Sequence, residues 1–423
     1  MNRRIAALGA LRHRMIISLP DGTAWRDHRI VKTNTCVCGQ LIFFQNVTCV
    51  NCQRQLGFLP DILAMSSLEA LADGIWQPAR RQQGQALLYQ QDHLYRKCQN
   101  YWKENVCNWM VPKEENEEFC VSCRLNDTIP DLTQAHNRTL WALAEGAKRR
   151  LVYSLLRFGL PVGSKKTQGP AGLAFRFLSD VKNSDGTVSK TLTGHSEGII
   201  TLNIAEAEDP YRETVRNEMN EPYRTLLGHF RHEIGHYYWD RLIRDTSFLE
   251  PYRDLFGDER ADYAQSLQRY YETGAPANWQ ENFISAYATS HPWEDWAETW
   301  AHFLHIQDAL EVANDFGLVG KHMPQCPDDK DGQSWLSTEQ ATFDAMIQAW
   351  SGLAVALNSI NRSMGLADLY PFVLSPPVIA KLRFVYEVVQ RKAVAASIPP
   401  PQAATNETSG DNLSPMAAPA ANL

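Results

Sequence analysis

Arg231-His232-Glu233-Ile234-Gly235-His236-Tyr237-Tyr238 is the stretch on which the reading of this chain turns. It carries the HExxH pattern within a run whose apolar positions, Leu227, Phe230, Ile234 and Tyr238, follow the helical period. Residues four apart share a helix face, so His232 and His236 can offer two imidazoles to one zinc ion while Glu233 approaches the water beside it. Bare polar groups on an amphipathic helix otherwise need partners if buried. The pattern predicts a helix over 221–243 that holds two metal ligands and a general base.

An open catalytic zinc takes a third protein ligand and leaves its fourth position to water. A metzincin histidine six residues after His236 is excluded, because Leu242 stands there and no histidine follows before His291. Downstream, Trp293-Glu294-Asp295-Trp296-Ala297-Glu298-Thr299-Trp300-Ala301-His302 reads as a second helix, over 292–310, with two carboxylates one turn apart. We assign Glu294 as the zinc ligand and Glu298 as the group that orients a ligating histidine through its other ring nitrogen. Spacing alone leaves the reverse assignment open. His302 and His305, one turn apart, and His229 are read as structural, as is the cluster Trp239, Trp279, Trp293, Trp296 and Trp300. Asp258, Glu259 and Arg260 are expected to begin a helix over 258–271, where the dipole favours acids.

Eight of the nine cysteines fall between Cys36 and Cys123, with Cys326 alone far downstream. Cys36-Val37-Cys38-Gly39 and Cys49-Val50-Asn51-Cys52, separated by the strand-like Leu41-Ile42-Phe43-Phe44, have the form of a zinc ribbon. Each close pair can sit on a tight turn that points two sulfurs inward. Cys98, Cys107, Cys120 and Cys123 form a second group with one close pair, and spacing leaves open whether its ligands mix with the first. A closed four-thiolate shell contributes folding energy and has no place for substrate, so these eight are read as structural. Ligand type does not distinguish zinc from iron there.

Around these motifs the periodicity changes three times. A helix is predicted over 134–159, with Lys148-Arg149-Arg150 on a solvated face. Short alternating runs over 173–178, 187–192 and 198–204, with the turn signal Asn183-Ser184-Asp185-Gly186, predict a small sheet, and the strand over 199–204 could pair an extended peptide along a free edge. Further helices are expected over 338–360 and 377–396. The organisation is then an extension over 1–30, a cysteine-rich zinc-ribbon region over 31–130, an α+β, mainly helical catalytic domain with a small sheet over 131–396, and a Pro- and Ala-rich disordered tail over 397–423.

These residues resemble a known family, the zinc-dependent metallopeptidases that carry an N-terminal zinc ribbon. The resemblance covers most of 31–395. It rests on Cys36-Val37-Cys38-Gly39-Gln40 with Phe43-Phe44 and Cys49/Cys52, on Gly194-His195 through Ile204, on Gly228 through Trp239, and on Phe283 to His305. The later glutamate is also similar to the gluzincin, zincin-like peptidases of the anthrax lethal factor type, in which a tyrosine seven residues before the ligand glutamate supports the reaction. Tyr287 stands seven before Glu294. The resemblance therefore implies Glu294 as ligand, Tyr287 as oxyanion stabiliser, and hydrolysis of peptide bonds by a zinc-activated water with Glu233 as base. His291 and His195 are lesser candidates for the oxyanion role. One catalytic and one or two structural zinc ions are implied, with a peptide or protein as substrate.

Composition sets the outer bounds. A chain of 423 residues at roughly 150 per domain has room for two to three domains and a sizeable core. Its 41 basic and 48 acidic residues give a net charge of -7, which argues against a protein built around phosphate binding, so nucleic acid is not an expected partner. No apolar run is long enough to cross a bilayer. Arg12-His13-Arg14 interrupts the apolar stretch that follows Met1-Asn2-Arg3-Arg4, which points to the cytoplasm rather than export. The competing reading is a non-catalytic zinc-ribbon protein that uses a peptidase-like domain to hold a peptide or partner.

Overall fold

The structure is a computed structural model that describes residues 33–79, 93–182, 185–218, 224–318 and 339–395. The expected extension, the tail and Cys326 lie outside the described residues, as do the first positions of the helix expected from 221. The architecture is α+β, with the cysteine-rich region leading into a mainly helical domain.

In the cysteine-rich region the hairpin Thr33–Thr35/Leu41–Phe43 pairs Thr35 with Leu41. Beyond it lies a five-stranded antiparallel meander in chain order, Leu56–Leu59, Ala64–Ala70, Ile75–Pro78, Tyr95–Lys97 and Met110–Pro112. Sequence reasoning missed this sheet. Its strands are short, and Leu56–Leu59 is buried at every position, so the alternation that marks a half-exposed strand is absent.

A four-stranded sheet follows, in the order Gly194–Ser196, Ile199–Asn203, Ala174–Leu178, Asn126–Thr128. The first pair is antiparallel and the other two are parallel. Two expectations change here. Ile199–Asn203 is paired on both sides, and the outer strands of this sheet are Gly194–Ser196 and Asn126–Thr128. The strand Asn126–Thr128 also carries the sheet across the boundary expected at 130.

Helix Ala135–Arg157 packs against the helix Leu226–Leu242, which packs in turn on Pro292–Asp315 and under the sheet. Glu339–Ser363 and Pro376–Ala395 cover the far side. Leu226–Leu242 starts where Thr225 caps it, the Thr225 Oγ1 accepting from Gly228 N at 3.0 Å, a cap worth about 1 kcal/mol. Tyr263–Thr273 begins at the Asp262 cap rather than at 258, and Asp258 and Glu259 instead pair with Arg260 and Arg253 ahead of it. The helices Asp209–Glu218 and Leu249–Phe256 were not anticipated.

The solvated face expected for Lys148-Arg149-Arg150 is also corrected. Lys148 and Arg149 are buried: Lys148 Nζ binds Glu145 at 3.0 Å, and Arg149 Nη1 donates to the carbonyl of Val106 at 2.5 Å. A buried cation needs a partner, and these partners lie one turn back and in the cysteine-rich region, where helical periodicity gives no hint of them. One continuous core unites the two regions, with Phe44 edge-on to Tyr153 at 5.5 Å.

Candidate metal centre

Two antiparallel-packed segments build the site, the histidine helix Leu226–Leu242 and the carboxylate helix Pro292–Asp315. Gly235 lets them approach closely, since a Cβ there would stand 3.0 Å from the Ala297 Cα. Trp296 Nε1 ties the pair by donating to the Gly235 carbonyl at 2.9 Å. The carboxylate helix starts at His291, whose Nδ1 accepts from Trp293 N at 3.1 Å while Nε2 donates to the Ala261 carbonyl at 3.0 Å. Both nitrogens of His291 are thereby engaged in holding the helix start.

This packing brings His232, His236 and Glu294 together, with one ligand atom of each within 4.8 Å of the others. His232 Nε2 lies 3.1 Å from His236 Nε2 and 2.9 Å from Glu294 Oε2, and the last two are 3.5 Å apart. On the far side of the ring, His232 Nδ1 donates to Glu298 Oε1 at 2.6 Å, and Glu298 Oε2 accepts from Ser285 Oγ at 2.5 Å. Of the two carboxylates, Glu294 thus faces both histidines and Glu298 faces the back of one. Tyr263 donates to the other oxygen of Glu294 at 2.6 Å. Sequence reasoning missed Tyr263 and Ser285, which sit in a different helix and a loop and share no period with the carboxylates.

The residues fit a zinc ion. Among the described residues no group of hydrogen-bonding geometry satisfies the buried Glu294 Oε2, and two imidazole nitrogens face it. Burial by itself lowers the pKa of His232, but Glu294 and Glu298 outweigh it and raise the value to about 10, so the pocket demands a positive charge at that ring. A divalent cation on a two-nitrogen, one-oxygen set meets that demand.

Glu233 is buried, and burial first, followed by the carboxylates of Glu294, Glu206 and Glu298, raises its pKa to about 8 against the opposing effect of His232. Tyr287 is 2% exposed, its hydroxyl has no hydrogen-bond partner among the described residues, and its ring lies 6.0 Å from that of His232. Trp293 covers His236 at 4.0 Å, while Trp296 and Trp300 are core. His229 pairs with Glu206, and His302 with Tyr370 Oη at 2.8 Å. Arg231 links His305 and Asp308 in a separate buried network.

Each cysteine group is self-contained. Cys36, Cys38, Cys49 and Cys52 form one set, with Cys36 and Cys52 sulfurs 3.5 Å apart and Cys38 exposed; Cys98, Cys107, Cys120 and Cys123 form the other, fully buried. Either can hold a metal ion.

Comparison with known proteins bears on the same residues. A family model described as "Putative zinc-binding metallo-peptidase" matches residues 137–388, and a zinc-ribbon domain model matches 33–134. The chain belongs to this metallo-peptidase family. Uncharacterized proteins of Mycobacterium bovis and of two strains of Mycobacterium tuberculosis are 42% identical over 357 residues, covering 84% of this chain and 94% of theirs. No solved structure matches it significantly. Family and fold therefore agree with the resemblance carried by the sequence, and among the described residues no helix is long and apolar enough to cross a membrane.

Proposed function

We propose that this member of the family hydrolyses peptide bonds at a zinc ion held by His232, His236 and Glu294. The observation that carries the reading is the gathering of that buried ligand set on two packed helices, with the carboxylate of Glu233 next to His232 in the same helix. Bound there, zinc supplies Lewis-acid polarisation of the scissile carbonyl and makes water more acidic.

The protein's own groups do the rest. Glu233 takes a proton from the attacking water and passes it to the leaving amine. Tyr287, whose buried hydroxyl has no hydrogen-bond partner among the described residues, donates to the oxygen that gains charge. Glu298, anchored by Ser285, fixes the tautomer and tilt of His232. The outer edge of Gly194–Ser196 offers main-chain pairing to an extended peptide. Each cysteine group holds a structural zinc, the ribbon presents a surface for a protein partner, and the protein acts in the cytoplasm.

Glu233→Gln tests the reading on a peptide library followed by mass spectrometry. The expected result is a loss of cleavage of about 10²–10⁴-fold, with zinc content by plasma mass spectrometry unchanged. Equal cleavage by the variant would overturn Glu233 as the base, and no cleavage by a zinc-replete wild type would favour a domain that holds peptide without turnover.

A further inference from the structure

The edge strand Gly194–Ser196 places His195 opposite Ile200 in the neighbouring strand. The turn between them passes through Glu197 and Gly198 at φ 49° and 77°. Only glycine suits the second position, because a Cβ there would meet the Gly172 carbonyl oxygen at 2.5 Å. This turn aims the Gly198 N–H at the His195 ring, where Nε2 accepts it at 3.0 Å. A nitrogen that accepts carries no proton, so the neutral ring bears its hydrogen on Nδ1. His195 is 5% exposed, and Nδ1 is buried with no hydrogen-bond partner among the described residues. Burial, reinforced by His236, Lys165 and Arg244, keeps the ring neutral by lowering its pKa to about 3.

Buried N–H donors without acceptors are rare and costly, and this one has a telling location. Its ring lies nearly parallel to that of His236, at 19° and 6.2 Å, and 6.2 Å from Trp293. Trp293 Nε1 is buried and unpartnered as well. The flank of the metal centre thus carries two donors for which no acceptor is found among the described residues.

We propose that His195 is a substrate-binding residue whose Nδ1–H donates to a carbonyl oxygen of a peptide held at the His232–His236–Glu294 centre. This inference rests on the peptidase reading and adds to it a residue that distinguishes the charged, tetrahedral form of that carbonyl from a simple metal chelator. The Tyr287 hydroxyl and the His195 N–H would then bracket the peptide from the carboxylate-helix side and the sheet side.

His195→Met is the informative variant, because its thioether sulfur can still accept weakly from Gly198 N while the side chain offers no donor in the place of Nδ1. Two probes are titrated by calorimetry into the zinc-loaded full chain: a phosphonamidate dipeptide, whose phosphoryl oxygens mimic the charged carbonyl oxygen, and acetohydroxamate, which needs only the metal. The variant should bind the phosphonamidate about 10- to 100-fold more weakly, bind acetohydroxamate within about twofold, and keep its zinc and melting temperature. Equal phosphonamidate binding by both proteins overturns the role of His195 and leaves the peptidase reading standing. A wild type that binds neither probe overturns both. Should the variant fail to fold, the Nδ1–H resonance of His195 in the wild type decides: it moves downfield on addition of phosphonamidate if the bond forms, and an unmoved resonance overturns the proposal.

Discussion

Tyr263 grips the oxygen of Glu294 that faces away from the two histidines. Removing that grip with Tyr263→Phe should weaken zinc binding at the His232–His236–Glu294 centre by about 10- to 100-fold, read by competition with a chromophoric chelator. Unchanged affinity would mean that packing alone orients the carboxylate. Tyr263 also marks the limit of what the residues reveal in sequence. His232, His236, Glu294 and Glu298 are legible because one helical turn relates the members of each pair. Tyr263 and Ser285 reach the same carboxylates through tertiary packing, 31 and 13 positions away, with no repeat to announce them.

Between the histidine helix and the carboxylate helix, Gly235 sets the distance. Gly235→Ala should gain about 1 kcal/mol of helix propensity and lose about 1–3 kcal/mol to overpacking, since the Ala297 Cα it meets is backbone and cannot rotate away. The expected net result is a lower melting temperature in a thermal scan together with weaker zinc binding. A more stable variant would show that the helices slide apart freely. At this scale the long helices were legible from period and punctuation, and the starts expected at 134, 292, 338 and 377 fall within one residue of those observed. The starts expected at 221 and 258 were misplaced because capping by Thr225 and Asp262, not the apolar pattern, decides where those helices begin. The five-stranded sheet and the burial of Lys148 and Arg149 were illegible for a different reason: each depends on partners from other parts of the chain.

Across the whole molecule, buried neutral histidines make the fold sensitive to acid. His195 and His302 both have pKa values lowered to about 3 by burial, against 6.5 when unfolded. Below pH 6.5 the unfolded chain takes up protons that the native state refuses until about pH 3. Stability should therefore fall across that window by about 1.4 kcal/mol per pH unit for each ring. Glu206 adds to the loss below pH 4.5: burial opposes its ionisation, but His229 and Arg224 hold its pKa at about 2. Glu233 and Asp295, with pKa values raised by burial to about 8 and about 7, act with the opposite sign above pH 4.5, so the effect is read by difference: urea midpoints of His302→Gln should fall less between pH 7 and pH 4 than those of the wild type, and parallel profiles would show that this ring is hydrated or charged in the native state. The two cysteine groups should differ in the same kind of experiment. Cys107→Ser strikes the fully buried set, next to Arg149 of the helix that supports the histidine helix, and should lower the melting temperature of the entire chain. Cys38→Ser, at an exposed position, should lower it less.

The strand Asn126–Thr128 leaves the cysteine-rich region to pair in parallel with Ala174–Leu178. A shortened protein starting at residue 131 would bare the flank of Ala174–Leu178, a strand with Phe175 and Phe177 fully buried, and such an edge invites aggregation. The two regions are consequently joined like halves of a dovetail, sharing one strand pairing and one core, so that neither can be cut away without baring part of the other.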